Sequence, residues 1–129
     1  MSNIEKFLRG ERGLGELTEA ERCAICEAML GEFVGLGSMW FYSTARSPIY
    51  DYLRDGTAAL RLQVAFGLSV SQMDEYVHGG PWYQPWNCSI GEYDGGTTGR
   101  TPAEAIVNRV CEEARARWPY KAAPAHRRA

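Results

Sequence analysis

One short segment combines the residue types that could hold an anion. Gly96, Thr97, Thr98 and Arg100 lie just before a predicted helix that begins near Thr101. Backbone N–H groups at a helix N-terminus, the helix dipole and a nearby arginine can together bind a phosphate or carboxylate. The segment is not a P-loop, because no Gly-Lys-Ser/Thr follows. It predicts either an anion site or a plain strand-to-helix connection in which Arg100 is simply exposed.

Aromatic side chains in predicted loops form a second candidate binding site. Trp82 and Tyr83 follow a Gly-Gly-Pro sequence, and Tyr93 precedes a glycine-rich stretch. Aromatic residues on a loop can anchor a protein partner, stack on a base or close a homodimer. The alternative is that they fill a core rich in large rings, where Trp40 and Trp86 are already expected to pack.

The cysteines and histidines allow two kinds of chemistry, and the sequence argues against both. Cys23 and Cys26 form a C-x-x-C, but no second pair with zinc-ligand spacing follows, and both lie inside a predicted helix. We therefore expect buried structural thiols, no metal and no cofactor. His78 precedes two glycines, as in the oxyanion loop of esterases, but the chain has no G-x-S-x-G serine. A small hydrolase that uses His78 is the weakest functional hypothesis.

Length and composition predict one globular domain. The chain has 129 residues, 45% of them hydrophobic, and a formal charge of −2. That charge is too small to indicate a nucleic-acid or membrane-surface protein, and no apolar run reaches the roughly 18 residues of a membrane span. Residues 1–118 are expected to form the domain, with a core at about 18–118. Residues 119–129 carry three basic residues and no acidic one, which is typical of a flexible tail.

Helix signals come from capping residues. Thr18 and Glu21 form a capping box for a helix over residues 18–30, ended by Gly31. Asp55 or Thr57 can cap a second helix that Gly67 ends. A shorter helix over residues 4–9 is also expected.

The last helix has the clearest pattern in the chain. Thr101, Pro102 and Glu104 mark its start. Its predicted apolar stripe comprises Ala103, Ile106, Val107, Val110, Cys111, Ala114 and Trp118, with Asn108 facing water.

Strand signals are fewer. Alternation predicts a strand over residues 86–93, and the aromatic run at 38–42 predicts another. Residues 69–78 suit a helical turn or an edge strand, and we favour the helix. Helices at both ends around a few short strands indicate an α+β fold, a small antiparallel sheet with helices packed on it.

This layout resembles the phage ABA sandwich domain family over about residues 18–118. The segments that carry the resemblance are AERCAICEAMLGE (20–32), PIYDYLRDGTAALRL (48–62), WNCSIGEYDG (86–95) and GRTPAEAIVNRVCEEA (99–114). The chain departs from the family where Asp51-Tyr52-Leu53 stands in place of Ser-Thr-Asp. The resemblance implies a small accessory protein of a tailed phage or prophage, located in the bacterial host cytoplasm, where thiols stay reduced.

The leading functional hypothesis is a non-enzymatic accessory protein that binds a host component, for example as an inhibitor of a bacterial immune system. The alternative is a sponge for a small anionic ligand such as a signalling nucleotide, held by Arg100 and stacked on Trp82 or Tyr83. We expect no nucleic-acid partner and no membrane association. The loop aromatics are compatible with a homodimer.

Overall fold

The computed structural model describes residues 3–32, 51–73, 84–91 and 95–117, with the side chains of residues 31 and 32 excepted. These residues form four α-helices, one short 3-10 helix and a three-stranded antiparallel sheet, which confirms the predicted α+β class. In chain order the elements are α1 (Asn3–Leu8), the 3-10 helix (Leu14–Glu16), α2 (Glu19–Glu32), α3 (Gly56–Phe66), β1 (Leu68–Gln72), β2 (Trp86–Ile90), β3 (Thr97–Gly99) and α4 (Pro102–Arg117).

The described residues group into two compact units. The first unit contains residues 3–32 and 111–117, and the second contains residues 51–73, 84–91 and 95–110. Helix α4 contributes residues to both. The predicted single domain over residues 1–118 stays a prediction.

In the first unit, α2 begins at the predicted capping box. Thr18 N–H donates to Glu21 Oε1 at 2.8 Å, and Glu21 N–H donates to Thr18 Oγ1 at 3.1 Å. The helix continues to Glu32, so the expectation that Gly31 ends it is wrong. Intrahelical hydrogen bonding through position 31 outweighs the entropy cost of a glycine there.

Arg115 of α4 contacts residues near the N-terminal end of the first unit. Arg115 lies with its guanidinium carbon 4.5 Å from the centre of the buried Phe7 ring. Its Nη1 donates to the Arg12 carbonyl oxygen at 3.3 Å, and its Nη2 pairs with Glu112. The cation therefore covers an aromatic face while its N–H groups stay hydrogen-bonded.

In the second unit, α3 is capped at both ends as the sequence predicts. Asp55 Oδ1 accepts hydrogen bonds from the N–H groups of Thr57 and Ala58 at 3.0 and 3.2 Å. Gly67 ends the helix in the left-handed conformation, with φ 62°. The buried face consists of Ala58, Ala59, Leu62 and Phe66.

The sheet has the order β1-β2-β3, and both pairings are antiparallel. Residues 68–72 form a strand, so the helix favoured there is wrong; residues 74–78 lie outside the described residues. Leu68 and Val70 alternate with serines and pair with Ile90 and Cys88 of β2, and this pairing outweighs the weak local helix signal.

Two other expectations about the strands need correction. β3 occupies part of what the sequence predicts as a loop. β2 begins at Trp86 as predicted but ends at Ile90, because Gly91 turns the chain with φ 73°. One face of the sheet is polar. The strand register places these residues on it: Ser69, Ser71, Asn87, Ser89 and Thr98.

Helix α4 confirms its predicted start and most of its apolar stripe. Ile106, Val107, Val110, Cys111 and Ala114 are buried as predicted, whereas Ala103 is only half-buried and Trp118 lies outside the described residues. Ala105, which is not on the predicted stripe, is buried as well. Asn108 is buried too, with 6% of its surface exposed, so its predicted position facing water is wrong. Its side-chain Nδ2 donates to the Thr98 carbonyl oxygen at 3.0 Å, which satisfies a polar group that burial would otherwise penalise.

Candidate functional site

Gly99 brings the end of β3 against the start of α4. A Cβ atom at this position would lie 2.7 Å from the carbonyl carbon of Glu104 and 2.8 Å from Ala105 Cα, and closer still to Ala105 N. These neighbours are backbone atoms of a helix, so they cannot move aside easily. A glycine that looks from the sequence like part of an anion-binding loop therefore has a packing role.

Gly96 is required by backbone conformation. Its φ is 82°, a region that residues with a side chain seldom adopt. A Cβ here would also lie 2.5 Å from Asn87 Oδ1. Gly96 therefore shapes the entry to β3.

Thr97 and Thr98 are part of the sheet. Thr97 pairs with Cys88 and is half-buried. The Thr98 hydroxyl donates to Gln84 Oε1 at 2.6 Å, and the Thr98 carbonyl accepts from Asn108. The polar groups of Thr98 are thus engaged inside the unit.

A carboxylate already lies at the N-terminus of α4. Thr101 Oγ1 accepts from Glu104 N–H at 3.0 Å, as predicted for a cap. The Glu104 side chain, however, accepts a hydrogen bond from Arg100 N–H at 2.7 Å. A capping box would instead pair it with Thr101 N–H, one residue later. A negative group therefore occupies the place where the dipole would attract an anion. Arg100 is exposed, and the arrangement disfavours anion binding.

The remaining predicted site residues lie outside the described residues. They are Trp82, Tyr83 and Tyr93 of the aromatic site and His78 of the hydrolase hypothesis, together with Trp40 of the predicted core. The structure thus brings together Gly96, Thr97, Thr98 and Arg100 along one strand-to-helix segment.

The four cysteines are free thiols, and all are buried, as the sequence predicts. Burial and then the interaction with Cys111 raise the pKa of the Cys26 thiol well above 9.0, its ordinary value. Because the thiolate is the nucleophile, Cys26 is a poor one at neutral pH. Within residues 3–32, 51–73, 84–91 and 95–117, no group of three or more His, Cys, Asp or Glu residues could hold a metal ion.

Sequence reasoning missed an exposed apolar pair on α3. Leu60 and Val64 have exposed fractions of 54% and 74%. At about 100° per residue, positions 60 and 64 lie on the side of the helix opposite Leu62 and Phe66. Drawing the helix as a wheel could have found this pair. We call Leu60 and Val64 the α3 apolar pair.

A scan against protein-family models, a search of curated proteins and a search of solved structures each found no match. Of the helices that the structure describes, none has the length and apolar character needed to cross a membrane.

Proposed function

We propose that this protein acts without catalysis, by binding a host protein through the α3 apolar pair. The observation that carries the proposal is the exposure of Val64 and Leu60, four residues apart on one side of a helix that is capped at both ends. Apolar side chains at a spacing of four present one continuous patch, which is how helices commonly anchor a partner.

Two further observations support a binding role over an enzymatic one. The thiols are buried, and the pKa of Cys26 is raised, so this thiol is not an available nucleophile. The carboxylate of Glu104 caps the one segment whose residue types suit a phosphate. The resemblance to the phage ABA sandwich family gives the proposal its setting: an accessory protein of a phage or prophage that blocks a component of its bacterial host.

The test compares capture of host proteins by three purified, tagged forms of the full chain. The double variant L60E/V64E places two negative charges on the α3 apolar pair. The matched control R61E changes the charge by the same amount at an exposed position of the same helix. We expect one host protein to be captured by the wild type and by R61E but not by L60E/V64E, and to bind the purified wild type in calorimetry.

The proposal is wrong if all three forms capture the same proteins, or if only R61E loses the partner. In the first case binding does not use the α3 apolar pair, and in the second it depends on charge alone.

The small-anion hypothesis has its own measurement. We expect calorimetric titration of the wild type with nucleotides to give no saturable heat, because Glu104 occupies the helix N-terminus. Saturable binding that Arg100→Ala abolishes would support the nucleotide sponge instead.

A further inference from the structure

Two buried thiols from different helices meet in the first unit. Cys26 of α2 and Cys111 of α4 each have 0% of their surface exposed. The Cys111 thiol lies 3.6 Å from the carbonyl oxygen of Arg22, one helical turn before Cys26. Side chains of an α-helix lean toward its N-terminus, so the Cys26 side chain projects over that same turn. The Cys111 thiol therefore lies beside the turn over which Cys26 projects, and its interaction helps to raise the pKa of the Cys26 thiol.

We propose that Cys26 and Cys111 form a disulfide that links α2 to α4 when the protein is exposed to a two-electron oxidant such as hydrogen peroxide. In the first step, one thiol loses its proton, and its sulfur attacks a peroxide oxygen. The O–O bond breaks, and a sulfenic acid and water result. In the second step, the other sulfur attacks the sulfenic sulfur, the S–S bond forms, and a second water leaves with the remaining thiol proton. Two sulfurs are oxidised and one peroxide is reduced to two waters.

The choice of partner follows from the contacts. Cys23 is also buried, but its side chain leans over the turn before it, away from the Arg22 carbonyl that the Cys111 thiol contacts. Cys88 lies in β2 and belongs to the other unit. Cys88 is therefore the natural control for a buried thiol that has no part in the pair.

Oxidation should be slow, because the attacking species is a thiolate and both sulfurs are enclosed. Burial keeps the Cys26 thiol protonated, so reaction waits for a local opening that admits the oxidant. Once formed, the bond also stays enclosed, which protects it from reductants until the same opening occurs.

The test uses the full-length wild type, treated with hydrogen peroxide. The remaining thiols are then alkylated, and the chain is digested with trypsin without reduction. Before alkylation, we expect the intact mass to be lower by about 2 Da, the two hydrogens lost when the disulfide forms. We also expect a linked pair of peptides, residues 23–46 and 110–115, that a reductant separates.

Cys23 and Cys26 share a tryptic peptide, so fragment spectra must show the alkyl group on Cys23. The variants Cys23→Ala and Cys88→Ala should both still form the link. The proposal is overturned if all four thiols can still be alkylated after the peroxide treatment. It is also overturned if the linked peptides are joined through Cys88 or Cys23, or if Cys23→Ala abolishes the link.

Discussion

Gly99 shows how a single hydrogen in place of a side chain sets the distance between a strand and a helix. The substitution Gly99→Ala would place a methyl group against the backbone of Glu104 and Ala105. Either β3 or the first turn of α4 must then move, and overpacking of this kind costs about 1–3 kcal/mol. Urea denaturation followed by circular dichroism should show an unfolding free energy lower by that amount.

Gly95 supplies the matched control. A Cβ atom there meets no heavy atom within 4 Å. Gly95→Ala should change the unfolding free energy by no more than about 0.5 kcal/mol, as surface substitutions usually do. Equal losses for both variants would show that glycine flexibility, not close packing, is what position 99 needs.

The Cys26 thiol predicts a loss of stability at alkaline pH. Its pKa is raised in the folded protein, so above about pH 9 the unfolded chain releases this proton first. The stabilising contribution is complete below that pH and is lost as pH rises toward the folded pKa. We expect the unfolding free energy of the wild type to fall more steeply than that of Cys26→Ala between about pH 8 and pH 10, by up to about 1.4 kcal/mol per pH unit.

The difference in unfolding free energy between the wild type and Cys26→Ala at neutral pH serves as a control. At pH 6 and 7 the Cys26 thiol is protonated in both states, so the difference between wild type and variant should stay constant there. Denaturation under reducing conditions measures both ranges. Parallel curves through pH 10 would contradict the assigned role of burial.

A helix cap is made by residues close together in the sequence, and the contribution of the Asp55 cap of α3 to stability can be measured directly. Asp55→Ala removes the oxygen that accepts from the N–H groups of Thr57 and Ala58. The unfolding free energy should drop by about 1 kcal/mol. Thr57→Ala, an exposed neighbour in the same first turn, should leave it within about 0.5 kcal/mol. A similar drop for both would show that the loss does not come from the capping oxygen of Asp55, since alanine has the higher helix propensity at either position.

Local chemistry also explains which elements the sequence could predict. Thr18, Asp55 and Thr101 each begin a helix within a residue of the expected place, because a cap and its partners lie three or four positions apart. Residues 68–72 could not be assigned this way. Their strand is set by pairing with β2, which lies about twenty residues further along the chain.

The same distinction between local and long-range contacts decides how much of the candidate site the sequence could predict. Its residue types were visible in the sequence, and a cap at Thr101 was predictable. That Gly99 meets the backbone of α4 and that Asn108 binds the Thr98 carbonyl are contacts between separate elements, which no spacing rule within one element encodes. The hydrogen bond from Arg100 N–H to Glu104 spans only four residues, but a capping box predicts Thr101 N–H as the partner of Glu104. The sequence therefore left anion binding open.

At the scale of the whole molecule, the α3 apolar pair should matter for binding and little for folding. Leu60 and Val64 are exposed, so L60E/V64E removes little buried surface. We expect its melting temperature by calorimetry to lie within a few degrees of the wild type, since exposed substitutions cost about 0.5 kcal/mol or less each. A large drop would mean that the pair supports the fold, and the capture experiment would then need single substitutions.

Helix α4 has a practical consequence for anyone who wishes to dissect this chain. Because residues 102–110 belong to one unit and residues 111–117 to the other, the second unit is an insertion within the first. No single truncation point yields an intact first unit, and isolating either unit requires a cut between Val110 and Cys111, inside the hydrogen-bond ladder of α4. Shortened expression fragments should therefore be poorer material than the full-length polypeptide.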